Sequence, residues 1–453
     1  MNISAIILAA GKGTRMQSKY HKGTHKVCGK EMINIIIDKL RKNDVNDINL
    51  VVGEYKESLI NVIKDKSVTY SLQNQQLGTG HAVSCAKDFL KNKEGYVLIF
   101  ACDTPLLKQE NINKLINVHK NENNSVTFIT SVLDDALSYG RIIRNNDNKV
   151  VGIKEAKDCT QEELLINEIN SSIYCFDIKN LLEGLDKLNN NNSQGEFYLT
   201  DLIKIFNNEN KNIGTITVDK NEVIGIDNRK QLYYANEILR AEINEFHINN
   251  GVTIIDPKST YIDMDVKIQK DVIIYPNVQI YGESYIGEDC EIFSNTKIVN
   301  SLIGENTKIE SSVIYNSRIG NNTTIGPFAY LRPDSCIGDE VKIGDFVEIK
   351  NSTIGKGTKI SHLSYVGDAF VGEKCNLGCG IVTVNYDGKK KNKTIIEDKC
   401  FIGCNVNLIA PVTVDKNSYI AAGTTVTDNV ESNSLAIGRS KQKNIKNWVM
   451  RRK

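Results

Sequence analysis

Along the first half of the chain, short apolar blocks alternate with longer amphipathic stretches. Residues 5–8, 48–52, 96–100 and 125–129 are dominated by Ile, Val, Leu and Phe. Runs of that length suit strands buried on both faces of a parallel sheet. Between them, residues 32–41 and 111–119 space their apolar positions as a helix does. Strand and helix in alternation predict a layered α/β domain up to about residue 229. The polar run at 189–192 predicts a surface loop. Over 230–250, apolar residues at 232, 235, 238, 239, 243 and 246 share one helical face and read as a linker helix.

Beyond Gly251 the period changes. Ile268, Ile274, Ile280, Ile286, Ile292 and Ile298 recur every six residues. After one-residue slips the series resumes at Ile319, Ile325, Leu331, Ile337, Ile343 and Ile349, and again at Ile402, Leu408, Val414, Ile420 and Val426. Gly follows the aliphatic residue at 287, 304, 338 and 355. Neither a period of 2 nor one of 3.6 generates this series. Six-residue units do: each makes a short strand and a turn, and successive coils stack their aliphatics into one core. This predicts a parallel β-helix over 251–453. Polar residues 385–394 interrupt the series and predict a loop thrown out of the coil, where binding groups concentrate.

Length alone, at roughly 150 residues per domain, suggests three domains. The two periods reduce that to two functional domains, 1–229 and 251–453, joined by the helix at 230–250. With 56 Lys+Arg against 55 Asp+Glu the net charge is +1, which argues against a protein that coats nucleic acid or an anionic membrane. No run approaches the roughly 18 apolar residues of a bilayer span. The N-terminus from Met1 to Leu8 lacks a basic leader region and reads as a first strand. The 11 cysteines are an odd number without a secretory signal, so reduced thiols in a soluble cytoplasmic protein are expected.

The first strand runs into Leu8-Ala9-Ala10-Gly11-Lys12-Gly13-Thr14-Arg15-Met16. A dinucleotide-binding loop needs a third Gly or Ala where Met16 stands, and the Walker pattern lacks its Gly-Lys-Ser/Thr. What remains is a small-residue turn at a strand's carboxyl end, flanked by Lys12 and Arg15. Backbone N–H groups in such a turn can cradle phosphates.

Further motifs follow in order: Gln73, then Gln76-Leu77-Gly78-Thr79-Gly80-His81-Ala82, Asp103-Thr104-Pro105-Leu106, Tyr139-Gly140-Arg141-Ile142, Glu155, Asn170 and Gly195-Glu196-Phe197-Tyr198-Leu199-Thr200-Asp201. Together with the first loop they resemble sugar-1-phosphate nucleotidyltransferases. A nucleotidyltransferase half followed by a hexapeptide half resembles, over essentially the whole chain, the family of bifunctional N-acetylglucosamine-1-phosphate uridyltransferase/glucosamine-1-phosphate acetyltransferases. The resemblance implies a Rossmann-like α/β nucleotidyltransferase domain followed by a left-handed parallel β-helix. It implies acetylation of glucosamine-1-phosphate by acetyl-CoA, then transfer of UMP from UTP to N-acetylglucosamine-1-phosphate with release of pyrophosphate. It also implies that the product feeds peptidoglycan and other cell-envelope polysaccharides.

For uridyl transfer the resemblance assigns Leu8, Ala9, Ala10, Gly11, Lys22, Gln73, Gly78 and Thr79 to the nucleotide, and Gly140, Glu155, Asn170 and Asp227 to the sugar. Asp103 and Asp227 match the magnesium ligands. The family usually carries Asn at 227, and Asp keeps an oxygen ligand there. Two stretches depart from the pattern. Tyr20-His21-Lys22-Gly23-Thr24-His25 replaces Leu-Pro-Lys-Val-Leu-His, which is expected to loosen the loop that carries Lys22. Cys102, in place of Gly, is expected beside the uracil or ribose.

For acetyl transfer it assigns His362 as the base, since imidazole titrates near neutrality. Arg332 and Lys350 match a phosphate clamp, and Tyr365 and Asn376 match sugar contacts. Cys379, Asn385, Tyr386, Cys404, Ala422 and Arg439 match acetyl-CoA contacts, with Cys379 in place of Ala and Cys404 in place of Ser. The spacings of Cys375/Cys379 and Cys400/Cys404 do not suit structural zinc, which usually starts from two intervening residues. The basic tail at 441–453, with Trp448, reads as a segment that closes the CoA site or packs on a neighbour and not as a nucleic-acid arm, for which a lone basic tail is weak evidence. The resemblance also implies a homotrimer. Partners are the small-molecule substrates, with no nucleic acid and no membrane insertion. Two other readings are a nucleotidyltransferase with a merely regulatory repeat domain and a protein-binding scaffold. Asp103, Asp227, His362, Lys350 and the Asn385-Tyr386 pair argue against them.

Overall fold

The computed structural model describes residues 2–136 and 138–451; Met1 and the tail residues Arg452 and Lys453 lie outside them. The chain divides into two units, Met1–Leu239 and Arg240–Lys453. The helix Arg229–Asn249 runs through the boundary.

In the first unit, nine strands among the described residues form one sheet. Its central order is Ile213–Thr217, Val126–Val132, Glu168–Asp177, Tyr96–Ala101, Ile3–Ala9, Asp47–Val52 and Thr69–Leu72. Ile3–Ala9 lies parallel to both of its neighbours. The four apolar runs are all strands here, but the sheet is mixed and not wholly parallel. Glu168–Asp177, which the apolar runs did not reveal, enters antiparallel between Tyr96–Ala101 and Val126–Val132. Its consecutive Asn170, Ser171 and Ser172 break the apolar pattern and hide a central strand. The helices Met32–Arg41 and Gln109–Asn121 bury Ile33, Ile36, Ile37, Leu40, Ile112 and Leu115 in a shared core with the sheet. A second cluster around Phe128, Tyr174, Phe176 and Phe206 covers the other face. The sheet is therefore sandwiched, and its carboxyl edge is left open for a site.

The second unit is a parallel β-helix whose strands, two to four residues long, form three sheets. Ile274 pairs with Ile292, Ile292 with Ile309, Ile309 with Ile325 and Ile325 with Ile343. Each of these coils thus takes 16 to 18 residues, three hexapeptide units with up to two one-residue slips, which are absorbed at corners. The stacked aliphatics from Ile268 to Val426 are buried in one core. Corners need a left-handed residue, and Asn277, Asn295, Asn306, Asn316 and Asn322 supply positive φ there. Asn tolerates that region better than most side chains, which accounts for the wealth of Asn. Between Leu377 and its partner Ile402 the coil lengthens, because residues 386–393 leave the stack, with Tyr386 bridging to Lys391, while Thr394 is already back in a buried strand.

Among the described residues no disulfide joins cysteines and no helix is long and apolar enough to cross a membrane. His119 is fully buried on the helix Gln109–Asn121, with Nδ1 3.0 Å from Thr127 Oγ1. Burial pushes its imidazole down to about 4. The folded state therefore resists the proton that the unfolded chain accepts near 6.5, so stability is complete above that pH and is lost as pH falls toward 4. Between pH 7 and pH 5 the loss from this group is about 2 kcal/mol. His119→Gln should shrink the pH 7 to pH 5 difference in unfolding free energy of the first unit by that amount, read from urea midpoints at the two pH values.

Candidate active sites

The first site forms where several parallel strands end. The strand Ile3–Ala9 delivers Leu8, Ala9, Ala10 and Gly11, and Gln76 Nε2 donates to the Ala10 carbonyl at 2.6 Å. Gly13 turns left-handed, and a short helical turn, Thr14–Met16, presents Arg15. Lys12 points instead to Glu54, 3.5 Å away on the surface.

Asp103 follows the strand Tyr96–Ala101, and Ile226 N–H donates to the Asp103 carbonyl at 2.9 Å. That bond brings Asp227 beside Asp103. The Lys22 ammonium sits between them, bonded to Asp103 Oδ2 and 3.1 Å from Asp227 Oδ1. Arg15 Nη2 approaches Asp227 Oδ2 at 2.9 Å. Burial disfavours the charge on Lys22, but the Asp103 and Asp227 carboxylates outweigh it and hold the ammonium above the usual lysine range. Two anions and two cations balance within one cluster.

The loop that carries Lys22 is tied down, contrary to the loosening expected from its composition. His21 is buried and its Nδ1 accepts the Gly23 N–H at 3.0 Å, while Thr24 Oγ1 donates to the His21 carbonyl at 2.7 Å. A side-chain acceptor and a helical turn at Lys22–Thr24 replace the restraint that a proline would give. Cys102 also differs from expectation. It is buried in the core under the sheet and does not line the pocket, and burial pushes its thiol up to about 12. Its neighbours Ala101 and Asp103 face the cavity in its place.

That cavity, about 250 Å³, is lined by Arg15, Asp103, Tyr139, Gly140, Glu155, Asn170 and Asp227 among others. A bulge in Glu168–Asp177, between Asn170 and Tyr174, turns Asn170 so that its amide donates to Tyr174 Oη at 2.6 Å. Glu155 accepts from Thr200 Oγ1 at 3.0 Å, and burial holds its carboxyl above the usual range. The two glycine-rich motifs meet: Gly80 N–H donates to the Phe197 carbonyl at 2.8 Å, and Leu199 N–H to Thr79 Oγ1 at 3.0 Å. Gly78 adopts φ 108°, and a Cβ there would lie 2.5 Å from the Phe197 carbonyl oxygen, so the junction requires glycine. Gln73 is buried, 3.0 Å from His81 Nδ1.

The second site lies on one face of the β-helix, across Tyr330–Leu331, Glu348–Lys350, Tyr365–Gly367 and Val382–Val384. At one corner stand Arg332, Lys350, Asp368 and Asn385. Arg332 Nη1 pairs with Glu348 Oε1 at 2.9 Å. Contact with Lys391 holds the Lys350 ammonium below the usual lysine range, and Arg332 adds to the effect. Asn385 is buried at the root of the extruded loop and donates to Tyr365 Oη at 3.3 Å and Asp368 Oδ2 at 2.5 Å. Tyr386 is exposed and its hydroxyl donates to the Gly388 carbonyl at 2.8 Å. At the other corner stands His362, with Nδ1 2.7 Å from Asp345 Oδ1. Cys379, Cys404 and Ala422 descend from that corner coil by coil. Asn405 N–H donates to the Cys379 carbonyl at 2.7 Å and Gly423 N–H to that of Cys404 at 2.8 Å. Arg439 Nη1 donates to the Ala422 carbonyl at 2.5 Å. Asn376 sits in register with Lys359, on the strand beside the one that ends in His362.

Asp345, Glu348, Asp368 and Lys391 escaped the sequence reading. Asp345 stands one coil before His362, as Asp368 does before Asn385, so stepping back by one coil would have found both.

Comparison with known proteins agrees with this division. The nucleotidyl transferase family model matches residues 4–223, the GMPPB C-terminal domain model 313–385 and the bacterial transferase hexapeptide model 393–428. The bifunctional protein GlmU of Clostridium novyi is 55% identical over 449 residues, covering 99% of this chain and 98% of its own. GlmU proteins of Clostridium beijerinckii and Clostridium acetobutylicum are 54% and 53% identical over 445 residues, each covering 98% of both chains. The chain belongs to the bifunctional GlmU family. It is a bifunctional transferase of UDP-N-acetylglucosamine synthesis, with an acetyltransferase and a uridyltransferase activity.

Family membership is consistent with a divalent metal requirement. The first site fits one: two hard carboxylate oxygens converge on a single cation position, which Lys22 fills. Among the described residues no third acidic, His or Cys ligand joins them, so phosphate and water would complete a coordination shell. A divalent cation and the Lys22 ammonium thus compete for the same oxygens. Lys22→Met should lower the melting temperature without metal, and added Mg²⁺ or Mn²⁺ should raise it further than in the unaltered protein. An equal metal response in both proteins would place the cation elsewhere.

Proposed function

We propose that the first unit carries uridyl transfer and the second acetyl transfer, with the residue roles that follow. The observation that carries the first assignment is the convergence of Asp103 and Asp227 on Lys22 beside the small-residue turn. Leu8 to Gly11 offer backbone N–H groups to the UTP phosphates, with Lys22 and Arg15 supplying charge. Gln73, Gly78 and Thr79 receive the uracil. Gly140, Glu155 and Asn170 hold N-acetylglucosamine-1-phosphate so that its phosphate oxygen faces the α-phosphorus. A new P–O bond forms there as the bond to pyrophosphate breaks. Magnesium held by Asp103 and Asp227 would neutralise phosphate charge when bound.

In the second unit, Arg332 and Lys350 clamp the phosphate of glucosamine-1-phosphate, with Tyr365 and Asn376 beside the sugar. His362 takes the proton from the 2-amine as the nitrogen attacks the thioester carbonyl of acetyl-CoA. The tetrahedral intermediate collapses, the C–S bond breaks and the CoA thiolate leaves. Cys379, Asn385, Tyr386, Cys404, Ala422 and Arg439 line the CoA path. The exposed position of His362 at a corner supports this reading, since a base must meet substrate.

The working form is a cytoplasmic homotrimer. An apolar column supports it: Phe328, Phe346 and Leu363 are exposed beside the His362 corner, and the two Phe rings stack at 5.5 Å. Light scattering should return three times the chain mass; a monomer at working concentration would remove this part of the reading.

An assay that follows CoA and pyrophosphate separately tests the rest. His362→Ala should lower acetyl transfer by about 10²-fold or more while pyrophosphate release from UTP persists. Asp103→Ala should do the converse. Equal loss of both activities in either variant would sink the two-site picture.

A further inference from the structure

His362 ends the strand Lys359–His362, and Asp345 ends its parallel neighbour Lys342–Asp345. The two residues stand directly opposite each other in the strand register. Most strands of this sheet are two residues long, so pairing that reaches Asp345 and His362 is an extension peculiar to this coil. Gly344 permits it: a Cβ there would lie 1.9 Å from the Ser361 carbonyl oxygen, an approach that only glycine allows. The Asp345 carbonyl also accepts the Leu363 N–H at 2.9 Å, so one residue grips the histidine's ring and the peptide that follows it.

The 2.7 Å contact between Asp345 Oδ1 and His362 Nδ1 needs one hydrogen. The hydrogen bond from His362 holds the Asp345 carboxyl below the usual carboxylate range, so it is ionised at neutral pH. An ionised carboxylate only accepts, so the proton sits on Nδ1 and the lone pair is left on Nε2. Free imidazole favours the opposite tautomer. Both side chains are partly exposed, so the pair adds little to stability and its consequence is orientation.

We propose that Asp345 is the positioning residue of the acetyl-transfer site: it locks His362 with Nε2 as the basic nitrogen and faces the imidazolium that forms when the substrate amine gives up its proton. This rests on His362 being the base. A charged partner behind a general base is worth most when the ring would otherwise choose the wrong tautomer.

The test uses the full-length protein with ¹⁵N-labelled histidine, the His362 signals being assigned by their loss in His362→Ala. In the unaltered protein Nδ1 should resonate as protonated and Nε2 as unprotonated. In Asp345→Ala the ring should revert toward the Nε2-protonated form, and kcat for acetyl transfer should fall about tenfold to hundredfold with KM for glucosamine-1-phosphate unchanged within twofold. Asp345→Asn can turn its amide donor to Nδ1, so it should release the tautomer and lose kcat as the alanine variant does, whereas Asp345→Glu keeps an acceptor-only carboxylate and should recover part of both. Melting temperatures establish that each variant is folded, and Asp345→Ser carries the same loss should the alanine variant not fold. A wild-type nitrogen signature or a wild-type kcat in Asp345→Ala overturns the proposal while His362→Ala remains inactive. Acetyl transfer that survives in His362→Ala overturns the reading of His362 itself.

Discussion

Parallel in-register strand pairing is the constraint on which both halves of the molecule depend. A parallel pair cannot be closed by a tight turn, so every connection returns the chain to the same edge. In the first unit that edge gathers Gly11, Asp103 and Asp227 from distant parts of the sequence. In the second unit the return takes one coil, and residues about 17 positions apart become neighbours. The chemistry of each site then follows from which side chains the register sets beside one another.

The same constraint distributes charge differently in the two units. At the sheet edge, Asp103, Asp227, Lys22 and Arg15 form a mixed cluster that is neutral as a whole, and Lys22 is largely withdrawn from solvent. At the β-helix corner, Arg332, Lys350 and Lys391 are gathered on the surface, and the carboxylates of Glu348 and Asp368 compensate only part of their charge. A cluster with balanced charge suits a site that exchanges one cation for another. A cationic excess suits capture of a phosphate dianion from water.

Much of this was legible from patterns with a physical cause. The six-residue aliphatic period announced the β-helix because nothing else buries every sixth residue, and the interruption at 385–394 marked the extruded loop. The strand Glu168–Asp177 was not legible: its bulge at Asn170 and its polar positions break the alternation that would have revealed it. The bulge aims Asn170 at the cavity, so the feature that hid the strand also serves the site. Glu348 and Asp345 were missed for another reason. Taken singly, an acidic residue in a repeat looks like a solvated corner, and only coil arithmetic shows that one faces Arg332 and the other His362.

The departures from the family pattern show how local such a site is. Asp227 adds a negative charge, and Arg15 stands 2.9 Å from it, so the cluster stays neutral. His21 removes the restraint of a proline and restores it with a ring nitrogen that accepts the Gly23 N–H. Cys102 needs no partner because its side chain faces the apolar core and leaves the cavity wall to its neighbours. Each change is answered within a residue or two of contact, because the strand ends that carry the site are fixed by backbone bonds such as that from Ile226 to Asp103. A scaffold held by its main chain lets side chains be exchanged, provided that each exchange preserves local charge and hydrogen-bond balance. Cys379 and Cys404 fall under the same rule: the carbonyl of each accepts a backbone N–H from the next coil, so the coil geometry there does not depend on the side chain.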